Sequence, residues 1–225
     1  MNEQKTIRIL NLYAGIGGNR KLWSGDIEVT AVENVPEIAK IYQDFFPQDK
    51  VIVANAHQYL LEHYKEFDFI WSSPPCPSHS KIRRFTSVER GQSKPIFPDM
   101  KLYEEIIFLQ SYYEGKWVVE NVQSYYEPLI KPKLVQRHYF WSNFFIDKKH
   151  FEGDNISAGH NDDRQDNLGF DLSKYSNIEK TKILRNCVKP EVGAYIWSCA
   201  FKTKQMQLSS IPPTDEFVGI LEATL

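Results

Sequence analysis

The chain has 225 residues, 42% hydrophobic and 14% aromatic, enough for one α/β domain with a sizeable core and a modest appendage, and too apolar for intrinsic disorder. Its net charge of -2 gives no general attraction to nucleic acid, so any such contact needs positive charge gathered on one face. Cys76, Cys187 and Cys199 form no CxxC pair, which excludes a disulfide framework and a structural zinc site. Residues 1–25 lack a secretory pattern and no apolar run reaches membrane-spanning length, so a soluble, cytoplasmic protein with no membrane partner is expected.

The first half alternates β-rich runs with amphipathic stretches, the pattern of βαβ units on a parallel sheet. Ile7–Leu12 predicts a strand ended by the glycine-rich Ala14-Gly15-Ile16-Gly17-Gly18. Glu28–Val32 predicts a second strand, and Pro36 suits the first turn of a helix to Phe46. A strand at Lys50–Ala54, a short helix over 57–65 and a strand at Phe67–Trp71 follow, broken by Pro74-Pro75. Residues 77–98 show no periodicity and predict a long loop, of a length that is usually functional or mobile. Asp99 caps a predicted helix to about Glu114, with Leu102, Ile106 and Leu109 on one face. Trp117–Glu120 predicts a fifth strand, Tyr139–Ile146 is strongly β-prone, residues 147–180 predict irregular structure, and a last helix is expected from Glu191 to Phe201.

Three segments are written for chemistry. The glycines after the first strand let a ligand approach the backbone, and Glu33, about 20 residues on, stands where a ribose diol is held. Ser73-Pro74-Pro75-Cys76 follows the fourth strand, and two prolines would hold a nucleophilic thiol on a stiff turn. Glu120-Asn121-Val122 puts a carboxyl group at the next strand end, with Asn121 as a turn residue or an anchor for the cysteine loop. Cys76 and His79 make half a metal site without a second pair, so no metal is expected.

Taken in order, these segments resemble the DNA cytosine-5 methyltransferase family. Tyr13-Ala14-Gly15-Ile16-Gly17-Gly18 is similar to its cofactor loop, usually written with Phe first. Val32-Glu33-Asn34 resembles its ribose-binding strand end, and Pro74-Pro75-Cys76 its catalytic Pro-Cys. Glu120-Asn121-Val122 matches its ENV motif, and Gln136-Arg137-His138-Tyr139-Phe140-Trp141 resembles the segment that supplies an arginine to the base. Asn186-Cys187-Val188 resembles the segment closing the cofactor pocket.

The resemblance implies a Rossmann-like S-adenosylmethionine-dependent fold, a mostly parallel sheet with helices on both faces. Residues 1–146 and 183–200 would form the catalytic domain, 147–182 a reduced target-recognition region, and 201–225 a tail of unassigned role. It implies S-adenosylmethionine bound by Tyr13, Ala14, Gly15, Gly17, Gly18, Glu33, Asn34, Asn55, Pro74, Asn186 and Val188. It implies catalysis by Cys76 as nucleophile on carbon 6 of a flipped-out cytosine, Glu120 as the acid at ring N3 and Arg137 at the base carbonyl. The implied partner is double-stranded DNA, met by Ser80, Lys81, Arg83, Arg84, Arg90 and His138.

The chain departs from the pattern in four places: Pro77 follows the cysteine where Gln is usual, and Asn55 replaces an acidic residue at the adenine. Only Arg137, with His138 beside it, stands where two arginines are usual, leaving open which residue holds the base. About 40 residues separate Trp141 from Asn186, far short of a full recognition domain, so relaxed specificity or a second protein is expected, as in a compact phage or mobile-element enzyme. An RNA substrate, a catalytically silent partner protein and a donor carrying another group stay open.

Overall fold

A computed structural model describes residues 5–151, 161–176 and 178–201. The tail beyond Phe201, and residues 152–160 and Asn177 of the expected recognition region, lie outside them. The chain runs β1 (Ile7–Leu12), β2 (Ile27–Glu33), α1 (Pro36–Phe45), β3 (Lys50–Val53), α2 (Ala56–His63) and β4 (Phe69–Ser72). It continues through α3 (Lys81–Arg83), α4 (Lys101–Tyr112), β5 (Lys116–Val122), β6 (Lys133–Val135) and β7 (His138–Ser142), then α5 (Asn161–Leu168), α6 (Lys180–Arg185) and α7 (Pro190–Phe201).

The strands form one sheet in the order β3-β2-β1-β4-β5-β7-β6. β1 to β5 pair in parallel, β7 lies antiparallel to β5, and β6 antiparallel to β7. The order reverses between β1 and β4, and a crevice opens at the carboxyl ends of strands flanking such a switch. Both the glycine loop and Cys76 leave the sheet there.

Side chains alternate across the sheet. Ile9, Phe69, Trp71, Val118 and Phe140 face α7, whose Val192, Ile196 and Trp197 cover them. Leu10, Leu12, Ile70 and Val119 face the other way, onto Leu60 of α2 and Leu102, Ile106 and Leu109 of α4. A third cluster joins Ala31 to Ile41 and Tyr42 of α1 and to Leu168, Phe170, Leu172, Ile183 and Leu184. This is a Rossmann-like α/β fold, a mostly parallel sheet with helices on both faces. Among the described residues no helix is long and apolar enough to cross a membrane.

The structure corrects several expected elements. Residues 77–98 are partly helical: α3 continues into a wide π-type turn over Arg84–Val88. The Ser80 side chain caps the turn by accepting from Arg83 N–H, and Lys81 N–H bonds to the Gln123 carbonyl, so tertiary contacts hold a helix too short for periodicity. Residues 147–180 are not wholly irregular, since α5 lies among them, and α6 starts at their end. Both are held by the apolar residues packed into the third cluster. The β-prone run after Tyr139 ends at Ser142, and the unexpected β6 pairs with it as a hairpin. α4 begins at Lys101 with Met100 at its cap; Asp99 Oδ1 accepts from Lys101 N–H at 3.1 Å instead of capping the helix.

Beneath the glycine loop a buried ion pair ties the turn after β1 to the start of β3. Arg20 Nε and Nη2 donate to Asp49 Oδ2 and Oδ1 at 2.9 and 3.1 Å, and the Tyr42 hydroxyl donates to Asp49 Oδ2 at 2.8 Å. Removing one partner strands the other charge in the core. Asp49→Ala should therefore destabilise the fold by about 3–5 kcal/mol. Urea unfolding checks this, and a loss below about 1 kcal/mol would show that the guanidinium finds another outlet.

Candidate active site

The register of the central strands sets the geometry. Leu12 pairs with Ser72, and Ser72 with Val119, so β1, β4 and β5 reach one row together. Beyond that row come Tyr13, the Ser73–Cys76 turn and Glu120.

On the β1 side the backbone is forced into turns that glycine tolerates. Gly15 has φ +54°, its N–H donates to Glu33 Oε2 at 3.0 Å, and open space lies where a Cβ would point. Gly17 has φ +84° and sits against the rings of Phe46 and Tyr42. A Cβ on Gly18 would stand 2.5 Å from the Val188 carbonyl oxygen and 3.0 Å from Cys187 Cβ. The structure thus brings the glycine loop against 187–188, although they lie far apart in sequence. Glu33 is buried and also accepts Val35 N–H through Oε1 at 3.0 Å, so each oxygen keeps a lone pair for a ribose hydroxyl. Asn34 is exposed beside it, and Asn186 is exposed at the end of α6. Asn55 caps α2, its Oδ1 accepting Gln58 N–H at 3.0 Å. Ala14 is buried, and its N–H bonds to the Val32 carbonyl. An open, glycine-lined cradle with a carboxylate at its rim fits the nucleoside end of S-adenosylmethionine.

On the β4 side, Asn121 resolves the choice left by the sequence: it is the anchor. Its Nδ2 donates to the Pro74 carbonyl at 2.9 Å, pinning the cysteine turn to β5. The Cys76 carbonyl in turn accepts N–H groups from His79 and Ser80, both at 3.0 Å. Cys76 itself is half-buried. Burial pushes its thiol up to about 11, Glu120 adds to the rise, and the Arg137 charge opposes it.

Glu120 is buried on the face of β5 that carries Val118. Burial lifts its carboxyl to about 7, against a Ser73 hydrogen bond and the Arg137 charge. His138 Nε2 stands 3.8 Å from Glu120 Oε1. Burial and Arg137 hold this imidazole neutral, down to about 3, and its Nδ1 has no hydrogen-bond partner among the described residues. Arg137 occupies the two-residue turn of the β6–β7 hairpin, whose first member, Gln136, adopts φ +52°. Cys76, Glu120, Arg137 and His138 are therefore electrostatically coupled.

The expected polymer-contact residues divide. Lys81 and Arg90 are exposed, while Arg83 Nη2 donates to the Lys94 carbonyl and Arg84 lies 5.5 Å from the centre of the Tyr125 ring. Ser80 serves as the α3 cap. His138 lies apart from this surface, inside the site.

Sequence reading missed Glu105. It is fully buried beneath the crevice, bonded to Tyr13, Ser72 and His57. Its signal was present: residue 105 falls on the apolar stripe of Leu102, Ile106 and Leu109, where a carboxylate needs partners. Among the described residues no group of three or more His, Cys, Asp or Glu could hold a metal ion.

Because the resting thiol keeps its proton, Cys76 should react with iodoacetamide at pH 7 roughly a hundredfold more slowly than an ordinary cysteine. Peptide mass spectrometry over time measures this; labelling at the rate of free glutathione would refute the raised pKa.

Residues 7–128 match the family model described as C-5 cytosine-specific DNA methylase. No curated protein sequence matches the chain significantly. Among solved structures, a Spodoptera frugiperda DNMT2 triple mutant is 24% identical, with TM-score 0.38, over 52% of this chain and 35% of that one. A SAM-dependent methyltransferase from Agrobacterium tumefaciens is 12% identical, with TM-score 0.35, over 55% of this chain and 41% of that one. The Entamoeba histolytica methyltransferase EhMeth is 17% identical, with TM-score 0.34, over 53% of this chain and 39% of that one. The chain thus matches less than half the length of each of these three proteins.

Proposed function

Since the chain belongs to the C-5 cytosine-specific DNA methylase family, whose methyl donor is S-adenosylmethionine, we propose that it methylates carbon 5 of cytosine in double-stranded DNA through a covalent bond to Cys76. The observation that carries this reading is the coupling of a stiffly held thiol, a buried acid and a guanidinium at neighbouring strand ends. In the proposed division of labour, residues 1–146 and 183–200 form the catalytic unit and 147–182 the target-reading region. A second protein would supply any further reading surface.

The target carbon lies inside the duplex stack, so the cytosine must be flipped into the crevice. The Cys76 thiol gives up its proton to solvent, the thiolate adds to carbon 6, and the electron pair of the 5,6 double bond shifts through the ring toward N3. Glu120 delivers its proton to N3 as this charge develops, which suits a carboxyl lifted to about 7. Arg137 or His138 steadies the base carbonyl. The cofactor supplies an electrophilic sulfonium methyl to carbon 5. Loss of the carbon 5 proton to a base or water then regenerates the 5,6 double bond with departure of the Cys76 thiolate, and the N3 proton returns to Glu120. The exposed cations Lys81 and Arg90 would meet phosphates at the rim.

The reaction needs Glu120 protonated and Cys76 ionised, so with these groups at about 7 and about 11 the loss of one form offsets the gain of the other: kcat/KM should be flat above about pH 7 and fall about tenfold per unit below it. Glu120→Gln should cut turnover by about 10²–10⁴. Glu120→Gln has no such proton to lose, so its residual rate should keep rising with pH above about 7; a profile that stays flat there in the variant would exclude Glu120 as the acid.

The decisive test uses DNA containing 5-fluorocytosine with S-adenosylmethionine, followed by denaturing electrophoresis and mass spectrometry. Fluorine cannot leave carbon 5 as a proton does, so an adduct on Cys76 bearing the added methyl is expected, and none with Cys76→Ala. If folded, cofactor-binding protein gives no adduct on any DNA yet labels RNA, the substrate is RNA. If it labels neither, the chain is a silent partner.

A further inference from the structure

Glu105 belongs to no step above, yet it joins three separate pieces of the crevice. Its Oε1 accepts the Tyr13 hydroxyl at 2.6 Å, and its Oε2 accepts the Ser72 hydroxyl at 2.6 Å. His57 Nδ1 stands 3.0 Å from Oε1, and His57 Nε2 3.4 Å from Glu104 Oε1. Tyr13 opens the glycine loop and is itself in left-handed backbone at φ +55°. Ser72 ends β4, directly before the cysteine turn, and its neighbour Ser73 bonds to Glu120. His57 lies in the first turn of α2, two residues beyond Asn55.

A carboxylate at zero exposure, bonded only to two hydroxyls, would be an uncompensated charge. Protonated His57 supplies the missing cation, held from its other side by Glu104. We propose that Glu105 and His57 form a charged positioning pair that locks the Tyr13 end of the donor loop to the Ser72 end of the nucleophile strand, so that S-adenosylmethionine binds best while His57 carries its proton. The proposal rests on reading residues 13–18 as the donor loop.

The pair has a defined pH sense. The groups facing His57 are Glu105 and Glu104 of α4, with the Tyr13 hydroxyl sharing Oε1. The Glu105 hydrogen bond raises the imidazole above its usual value, burial opposes the rise, and both carboxylates add to it. A raised value means the lock is complete below about 6.5 and is lost as pH climbs through the higher native value.

Two readouts test this without any nucleic acid. In the cofactor-free protein, the His57 ring should titrate by NMR above its usual value, and Glu105→Gln should move the midpoint down. By calorimetry, wild-type affinity for S-adenosylmethionine should weaken about fivefold or more from about pH 6 to about pH 9. Glu105→Gln should retain the low-pH affinity within about threefold but lose that dependence, because an amide keeps both hydroxyl bonds: its oxygen accepts Tyr13 and its nitrogen donates to Ser72. Tyr13→Phe, which removes one bond without cutting the core, should weaken binding about tenfold at the lower pH.

A merely structural Glu105 would lower the melting temperature and leave the pH dependence intact. An unchanged His57 midpoint in Glu105→Gln, or pH-independent wild-type affinity, overturns the proposal. Cofactor binding with the expected pH sense but no methyl transfer to DNA would sink the substrate reading and leave the pair standing.

Discussion

The pairing of β4 with β1 on one side and β5 on the other is the constraint from which the site follows. Leu12, Ser72 and Val119 share a row, so the glycine loop and the cysteine turn leave the sheet at the level where β5 carries Glu120. Side chains alternate along a strand, and a slip of one residue in β5 would carry Glu120 to the α4 face. The register is protected by the core on both sides: Trp71 and Val118 bury on one face, Ile70 and Val119 on the other. Burying such side chains contributes roughly 1.5–3 kcal/mol each, so a shifted register would expose several at once.

The interior of the crevice is kept nearly free of charge. Burial brings Glu120 to about 7, Cys76 to about 11 and His138 to about 3, leaving the Arg137 cation as the common neighbour that opposes the first two shifts and adds to the third. Raising the Glu120 carboxyl this far corresponds to a cost on the order of 3 kcal/mol for ionising it. An acid poised this way can release a proton to a base that enters and accepts it. The cations of the 81–94 segment lie outside, where water screens them. Glu105 lies beneath the site with Oε1 3.0 Å from His57 Nδ1, the contact on which the proposed positioning pair rests.

Much of this was legible along the chain because the physics was local. β1 and β3 ran as short apolar stretches closed by glycine or polar residues, and Pro36 marked the start of α1. Cys76 announced itself by standing just past a strand, and Glu120 by closing an apolar run, although β5 itself continues to Val122. What failed to show lacked a local signal. α3 is one turn held by Ser80 and the Gln123 carbonyl, and α5 is polar along most of its length. The β6–β7 turn uses Gln136 at a left-handed angle where glycine would have been the cue. His138 read as a DNA contact or as an alternative to Arg137 at the base, since nothing nearby in sequence shows that it buries against Glu120.

The succession of β1 to β5 with α1, α2 and α4, the open glycine loop, the rigid cysteine turn and the family membership were determined by the sequence itself, because periodicity, breakers and motif spacing act over a few residues. Only the tertiary structure decided which groups meet: Gly18 against Val188, Asn121 on the Pro74 carbonyl, Glu105 between Tyr13, Ser72 and His57. It also decided their protonation, since desolvation depends on what the whole fold packs around a side chain, and no window of sequence contains that information.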